Sequence, residues 1–424
     1  MGSNASRITL YPTALLIGLL PVWMVLLPLD MTSKPENWQV FVRAYSFVVP
    51  LVQMIFVLVA MGSFFSPFRA LRQLPRLTKA ALLIWIVVVS VVSFQPDKDH
   101  VHAAINLSKL TVAALFLLAL IDMARAIGPR FILALWISVG IGTLLYVLLW
   151  ATHIVMVSPQ GEEWVIRVPG VNNVRHTGYF AFAIVVAGLV TLISFRNSTN
   201  LYLRWGLPIL FGVVGLGLAL WTGSRGPLLA SLVAMFATLC VAAGNRKLVA
   251  TFLVSSALAA TAVVSMMPVP HPIYGIAGAT GMADVTAKGD ADASSGRKEL
   301  WAGTIDRIAQ RPLMGWGVGQ FGEFGTAKPD EFFHPHNFPL QFLFAGGILS
   351  VLLICLTSLP ALRRWGWPYA QGPSAAGVGG VMGMMVYSLY DGALYFSYPI
   401  TIFIVAIVSS IAPAPTQRGH DTSD

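Results

Sequence analysis

Charge is scarce in this chain. Only 11% of its 424 residues are charged, against 56% hydrophobic, whereas a soluble domain carries about 25% charged residues. That deficit excludes an ordinary water-soluble fold. Cysteine is nearly absent as well. Cys240 and Cys355 both sit inside apolar runs, so there is no disulfide framework and no metal-ligand spacing of thiols. A zincin motif, a Walker loop and a suitably placed G-x-S-x-G are also missing, which removes the commonest metallopeptidase, nucleotidase and serine-hydrolase readings.

What the chain has instead is a series of apolar runs, each about 20 residues long, the length needed to cross a bilayer as a helix. They fall near 8–29, 38–62, 80–95, 104–124, 131–156, 177–195, 206–222, 227–243, 248–267, 338–358, 374–390 and 396–412. The expected fold is therefore an all-α polytopic membrane protein of about twelve transmembrane helices. "MGSNAS" at the start resembles an added tag. The first apolar run is too long for a signal peptide and lacks a small-residue cleavage site, so it reads as a span.

The net charge of +9 comes from basic residues dispersed between spans. It reads as membrane topology rather than as nucleic-acid binding. Threading the spans alternately puts Arg69, Arg72, Arg76, Lys79, Arg125, Arg130, Arg196, Arg204, Arg246, Lys247, Arg363, Arg364 and Arg418 on one side, which the positive-inside rule makes cytoplasmic. The organisation expected is a cytoplasmic N-terminus (1–7), nine spans (8–267), a large external loop (268–337), three spans (338–412) and a cytoplasmic tail (413–424) of disordered character. Any site then lies on the external face, where the loops carry histidines and further arginines.

Within the large loop, "RKELWAGTIDRIAQRP" reads as an amphipathic helix ended by Pro312. At 100° per residue, Leu300, Trp301, Thr304, Ile305 and Ile308 form its apolar stripe, and Arg297 points along it. A guanidinium turned inward needs an anion to meet it. A Gly-rich connector, "PLMGWGVGQFG", then leads to "FFHPHNFPLQFLFAGGI".

Each candidate has a plainer alternative. "SRG" (Ser224, Arg225, Gly226) at the outer junction of two spans is either a tight turn with a snorkelling arginine or an anion clamp, in which the guanidinium fork and helix-start N–H groups meet phosphate oxygens. Arg43 and Lys109 lie within spans, where snorkelling explains them, although their shared depth also fits a polar cavity opening outward. His336 is either interfacial or a general base, the role for which an imidazole near neutral pKa is suited. His334 is a supporting neighbour, and Pro335 predicts an extended backbone with diverging rings. Asp391 in "YSLYDGALYF" orients a base or accepts local hydrogen bonds. "PDKDHVHAA" (Asp97, Asp99, His100, His102) and "GDAD" (Asp290, Asp292) have oxygen donors for a divalent cation, but D-x-D is common by chance and Lys98 sits amid the first set.

Taken together, "SRG" after a span, "GRKELWAGTIDRIAQRPLMGWGVGQF" and "HNFPLQFLFAGGI" resemble the O-antigen ligase/polymerase-like membrane glycosyltransferases, best over residues 205–350. The resemblance implies transfer of a glycan from a polyprenyl-diphosphate carrier to a sugar hydroxyl on the periplasmic face of the bacterial inner membrane. For a ligase the acceptor is lipid A–core and the product lipopolysaccharide. It implies an inverting, metal-independent reaction without cofactor and without nucleic acid. His336 becomes the base; Arg225 and Arg297 bind the diphosphate, with Arg175 of "NNVRH" a third; Ser224, Asn337, His334 and Asp391 support them. An O-antigen polymerase, using a lipid-linked acceptor, shares these motifs, and a protein O-oligosaccharyltransferase is a third relative. A flippase is the alternative from another class, but it predicts midplane ionisable residues and a repeat symmetry that the sequence does not display.

Overall fold

The computed structural model describes residues 11–26, 38–63, 65–157, 168, 171, 174–269, 274–280, 297–324, 334–364 and 372–411. The polar segment 283–296, with Asp290 and Asp292, and the tail 413–424 lie outside them. The protein is an all-α polytopic membrane protein. Its principal helices are α1 (Leu20–Leu26), α2 (Trp38–Gly62), α3 (Arg76–Ser93), α4 (His100–Ile127), α5 (Pro129–Val157), α6 (Gly178–Ser194), α7 (Leu207–Trp221), α8 (Arg225–Val241), α9 (Arg246–Met266), α10 (Arg297–Gln310), α11 (Phe338–Arg364), α12 (Pro373–Asp391) and α13 (Ser397–Ile411). Apart from α10, which lies in the large loop, each of these helices falls on one of the twelve apolar runs, α1 filling only part of the first. Among the described residues, six helices are long and apolar enough to cross a membrane, and four shorter apolar helices accompany them.

α6 is the axis of the bundle. Every residue from Gly178 to Ile193 is buried, which a 17-residue helix achieves only when neighbours surround it. α7, α5, α8 and α12 supply that cover. Its composition, small and β-branched residues with hardly a polar side chain, suits close approach on all sides. α3 and α11 form a peripheral pair packed mainly on each other, with Leu83, Ile84, Ile86, Val87 and Leu352 turned outward. Exposed leucines on such helices are a lipid-facing surface rather than a defect.

α11 is not the continuous span its hydropathy suggests. Gly347 has φ 62° and ψ −169°, which breaks the helix. The backbone groups freed there do not go unsatisfied: Ile348 and Leu349 donate to the carbonyls of Pro312 and Leu313, while Trp316 and Gly317 donate to those of Phe344 and Ala345. The connector "PLMGWG" thus runs alongside the break and completes its hydrogen bonding, the condition for irregular backbone within an apolar region. A Cβ at Gly347 would collide with the Leu313 backbone, so glycine is required by space as well as by φ.

The same connector is pinned to the α3–α4 junction. Gln320 is buried and exchanges two hydrogen bonds with the Asp99 backbone, accepting from its N–H (3.0 Å) and donating to its carbonyl (2.9 Å). Val318 donates to Ser93 Oγ at 2.8 Å. The Lys98 ammonium is buried 4.0 Å from the ring centre of Phe324 and 4.6 Å from that of Trp316, with Asp97 at 3.4 Å; burial pushes its pKa down. Asp99 caps α4, accepting from the His102 amide and pairing with its ring. Its carboxylate is therefore committed to the helix start, and no cluster of three or more metal-ligating side chains occurs among the described residues.

α10 is largely as its periodicity predicts. Leu300 and Thr304 are buried, and Ile308 joins a small cluster with Trp316, Phe321 and Phe344. Ile305 departs from expectation at 53% exposed. The helix packs on α11, and Ile305 lies outside the buried stripe that Leu300 and Thr304 form.

Candidate active site

The site is assembled where the N-terminus of α11 meets the C-terminus of α12. Asn337 stands just before α11. Its Oδ1 accepts from the Leu340 amide at 3.0 Å, an N-cap bond, and its Nδ2 donates to the Leu389 carbonyl on α12 at 3.0 Å. One side chain therefore starts one helix and ties it to the end of another. His336, immediately before it, is held between them.

His336 has φ 52°, alone among the described non-glycine residues in being left-handed. That conformation costs on the order of 1–3 kcal/mol and persists only where surroundings impose it. The imposing contact is local: the His336 amide donates to Nδ1 of His334 at 3.2 Å. The turn brings the two rings to 4.1 Å between centroids, so they pack together rather than diverge. Pro335 does not prevent this because the left-handed residue follows it. His334 is itself stacked on Tyr395 at 4.5 Å and meets Phe396 edge-on at 5.3 Å. Burial keeps its imidazole well below the usual histidine range, and the nearby His336, His176 and Arg297 act in the same direction. With Nδ1 accepting a hydrogen bond, the neutral ring carries its proton on Nε2.

Asp391 closes the other side. Its Oδ1 lies 3.9 Å from Nδ1 of His336. It is the last residue of α12, one turn beyond Tyr387 on the same face. Gly392 follows in the left-handed region with φ 52°, and a Cβ there would stand 2.6 Å from His334 Nδ1, so the chain turns here directly beneath the histidines.

The Ser-Arg-Gly turn reaches the same place from α8. Gly226 lies against the rings of α12: a Cβ would come within 2.9 Å of Tyr387 Cε2 and 3.9 Å of Asp391 Cβ. Ser224 is buried, and its hydroxyl accepts from Thr222 at 2.9 Å instead of capping the helix. Arg225 opens α8, with Nε donating to the Gly278 carbonyl at 3.2 Å while the side chain remains exposed. Arg297, at the start of α10, is close enough for its charge to act on both His334 and Tyr387. One turn later Trp301 donates its indole N–H to the Pro335 carbonyl at 2.8 Å, so α10 is latched to the histidine loop on the face that carries Arg297.

Of the residues singled out from sequence, His336, His334, Asn337, Asp391 and Arg297 converge, and Ser224 and Arg225 border them through Gly226. Arg175 lies in the short turn Val174–Thr177; its side chain is outside the described residues. Sequence reasoning gave no role to His176, Tyr387 or Tyr395. His176 lies 4.9 Å from Phe396 and 5.5 Å from Tyr179, ring to ring. Burial lowers its pKa to about 4, Asp391 raises it, and His336 lowers it again. The Tyr387–Asp391 spacing of four along a helix was the available signal for a shared face.

Part of the chain is similar to known proteins. Positions 210–355 match the family model described as O-Antigen ligase. A curated O-antigen ligase of Pseudomonas aeruginosa is 32% identical over 193 residues, which cover 43% of this chain and 42% of that protein. The match thus spans less than half the length of that relative. The matched segment carries Arg225, Arg297, His334 and His336, and over it the chain is similar to O-antigen ligases.

Proposed function

We propose that the protein transfers an O-antigen glycan from a polyprenyl-diphosphate carrier to a sugar hydroxyl of lipid A–core, on the periplasmic face of the inner membrane. The observation that carries the reading is His336, held on a left-handed backbone with Nδ1 3.9 Å from the Asp391 carboxylate. Asp391 favours the tautomer with hydrogen on Nδ1, leaving Nε2 as the basic atom. The acceptor oxygen attacks the anomeric carbon, its proton passes to His336 Nε2, and the bond from that carbon to the diphosphate oxygen breaks. The electron pair departs with the diphosphate, and the configuration at carbon inverts.

The leaving group gains charge as that bond breaks, and preorganised cations in a water-poor site stabilise it most. We assign this role to Arg297 and Arg225, which open α10 and α8, with Arg175 as a third. Helix N-termini themselves favour anions, and both arginines open their helices. Under this reading the chain crosses the membrane twelve times with both termini cytoplasmic, and residues 268–337 are periplasmic.

Reconstitution with lipid-linked O-antigen and two acceptors, lipid A–core and a second lipid-linked unit, tests the assignment. Product on lipid A–core is expected. Elongated lipid-linked product alone would make the protein a polymerase, and substrate crossing the bilayer without either product would make it a transporter.

A further inference from the structure

The end of the bundle away from His336 holds a second concentration of charge that the chemistry above does not use. α8 runs from Arg225 to Val241, about 25 Å at 1.5 Å per residue, into the turn Ala243–Asn245 and the start of α9. There Arg204, Trp205, Asn245, Arg246, Lys247 and Leu248 border an open cleft of about 630 Å³. Three cations line it and no carboxylate does. None of the three pairs with a carboxylate among the described residues.

Two features separate this cleft from the scattered cations that merely set topology. Arg204 Nε is buried and meets no acceptor; leaving a buried donor unsatisfied costs about 1–3 kcal/mol, more when it is charged. Arg204 also sits on a π-helical turn, Tyr202–Gly206, a strained form that recurs at functional sites. The start of α9 adds to the field. Asn245 stands at its N-cap position without capping it, because its Oδ1 accepts from Arg196 instead at 3.3 Å. The first N–H groups of α9 therefore have no side-chain cap, which adds positive potential at this helix start. Beside it, Leu201 and Tyr202 are 71% and 64% exposed, an apolar flank at the ends of membrane-crossing helices.

We propose that this cleft binds the phosphate headgroup of an anionic phospholipid, whose oxygens pair with the Arg204, Arg246 and Lys247 side chains and whose acyl chains lie along Leu201 and Tyr202. Basic pockets between spans on one side of a membrane bind phosphate headgroups by this combination of charge and adjacent apolar surface. The apolar flank is what favours a lipid over free phosphate.

The test is thermal unfolding of the full-length protein in neutral detergent, titrated separately with phosphatidylglycerol, cardiolipin, phosphatidylcholine and inorganic phosphate. The two anionic lipids should raise Tm saturably, and the other two additions should not. Combining Arg204→Gln, Arg246→Gln and Lys247→Gln should raise the half-saturating lipid concentration by on the order of 100-fold, at about fivefold per cation. Arg72→Gln, Arg76→Gln and Lys79→Gln together, an equal loss of charge elsewhere, should leave it unchanged. Arg204→Lys keeps the charge but loses the guanidinium fork, so it too should weaken the response. An unaltered half-saturation in Arg204→Lys and in the first triple variant, or an equal rise in Tm with phosphatidylcholine or inorganic phosphate, would overturn the proposal.

Discussion

The backbone amide of His336 donates to Nδ1 of His334 at 3.2 Å, and the two rings lie 4.1 Å apart. One histidine thus shapes the backbone of the other. His334 is buried and holds the turn, whereas His336 is partly open and faces Asp391.

Separate replacements should distinguish these parts. His336→Ala should lower glycan transfer by roughly 10²–10⁴-fold, the usual contribution of a positioned base, while the protein still inserts and unfolds at a similar temperature. His334→Phe keeps a ring against Tyr395 but removes the acceptor for the His336 amide. Losing one such bond, worth about 1 kcal/mol, should reduce kcat about fivefold and leave KM for the lipid-linked donor little changed. A KM effect without a kcat effect would mean that His334 does not position the base.

Arg225→Lys and Arg297→Lys should each impair turnover, since an ammonium is a point charge that cannot form the guanidinium fork. Both should be measured as kcat/KM with lipid-linked donor. Wild-type values in both variants would remove the arginines from the diphosphate site.

Gln320→Ala should destabilise the protein by about 1–2 kcal/mol, because the half-buried Asp99 amide loses its acceptor while the Asp99 carbonyl keeps only the Ala103 N–H. Scanning calorimetry in detergent reads this directly. Transfer should fall as well, since the connector that completes the break at Gly347 is released from the α3–α4 junction.

Stability should decline in mild acid. His176 has a folded pKa lowered to about 4, against 6.5 for an unperturbed histidine, and burial also holds His334 well below the usual range. The unfolded chain therefore binds protons below pH 6.5 that the folded protein refuses. The stability these rings contribute is full above 6.5 and is lost as pH falls toward about 4. Tm should drop between pH 7 and 5, and His176→Phe should flatten that drop.

The helices were legible in the sequence because a bilayer-length apolar run has few other uses. Backbone groups in an apolar medium must bond within the segment, so each of the twelve runs became a helix. The amphipathic α10 was legible for a related reason, its period of 3.6, although Ile305 shows that periodicity cannot say how wide the covering surface is. His336, Asn337, Arg225 and Arg297 stood out as polar groups at span ends in a recognisable order.

Other features depend on which segments meet, and no local pattern encodes that. The break of α11 at Gly347 exists because "PLMGWG", some thirty residues earlier, supplies the missing partners; hydropathy alone describes one unbroken span. The left-handed turn at His336 required His334 to accept its amide and Gly392 to leave room beneath. Tyr387 and His176 entered the site only when α12 and the turn before α6 were packed side by side. The sequence by itself determined the membrane helices and the inventory of chemical groups, because both follow from local composition. Tertiary structure alone decided which imidazole faces the carboxylate, because that rests on contacts between residues more than fifty positions apart.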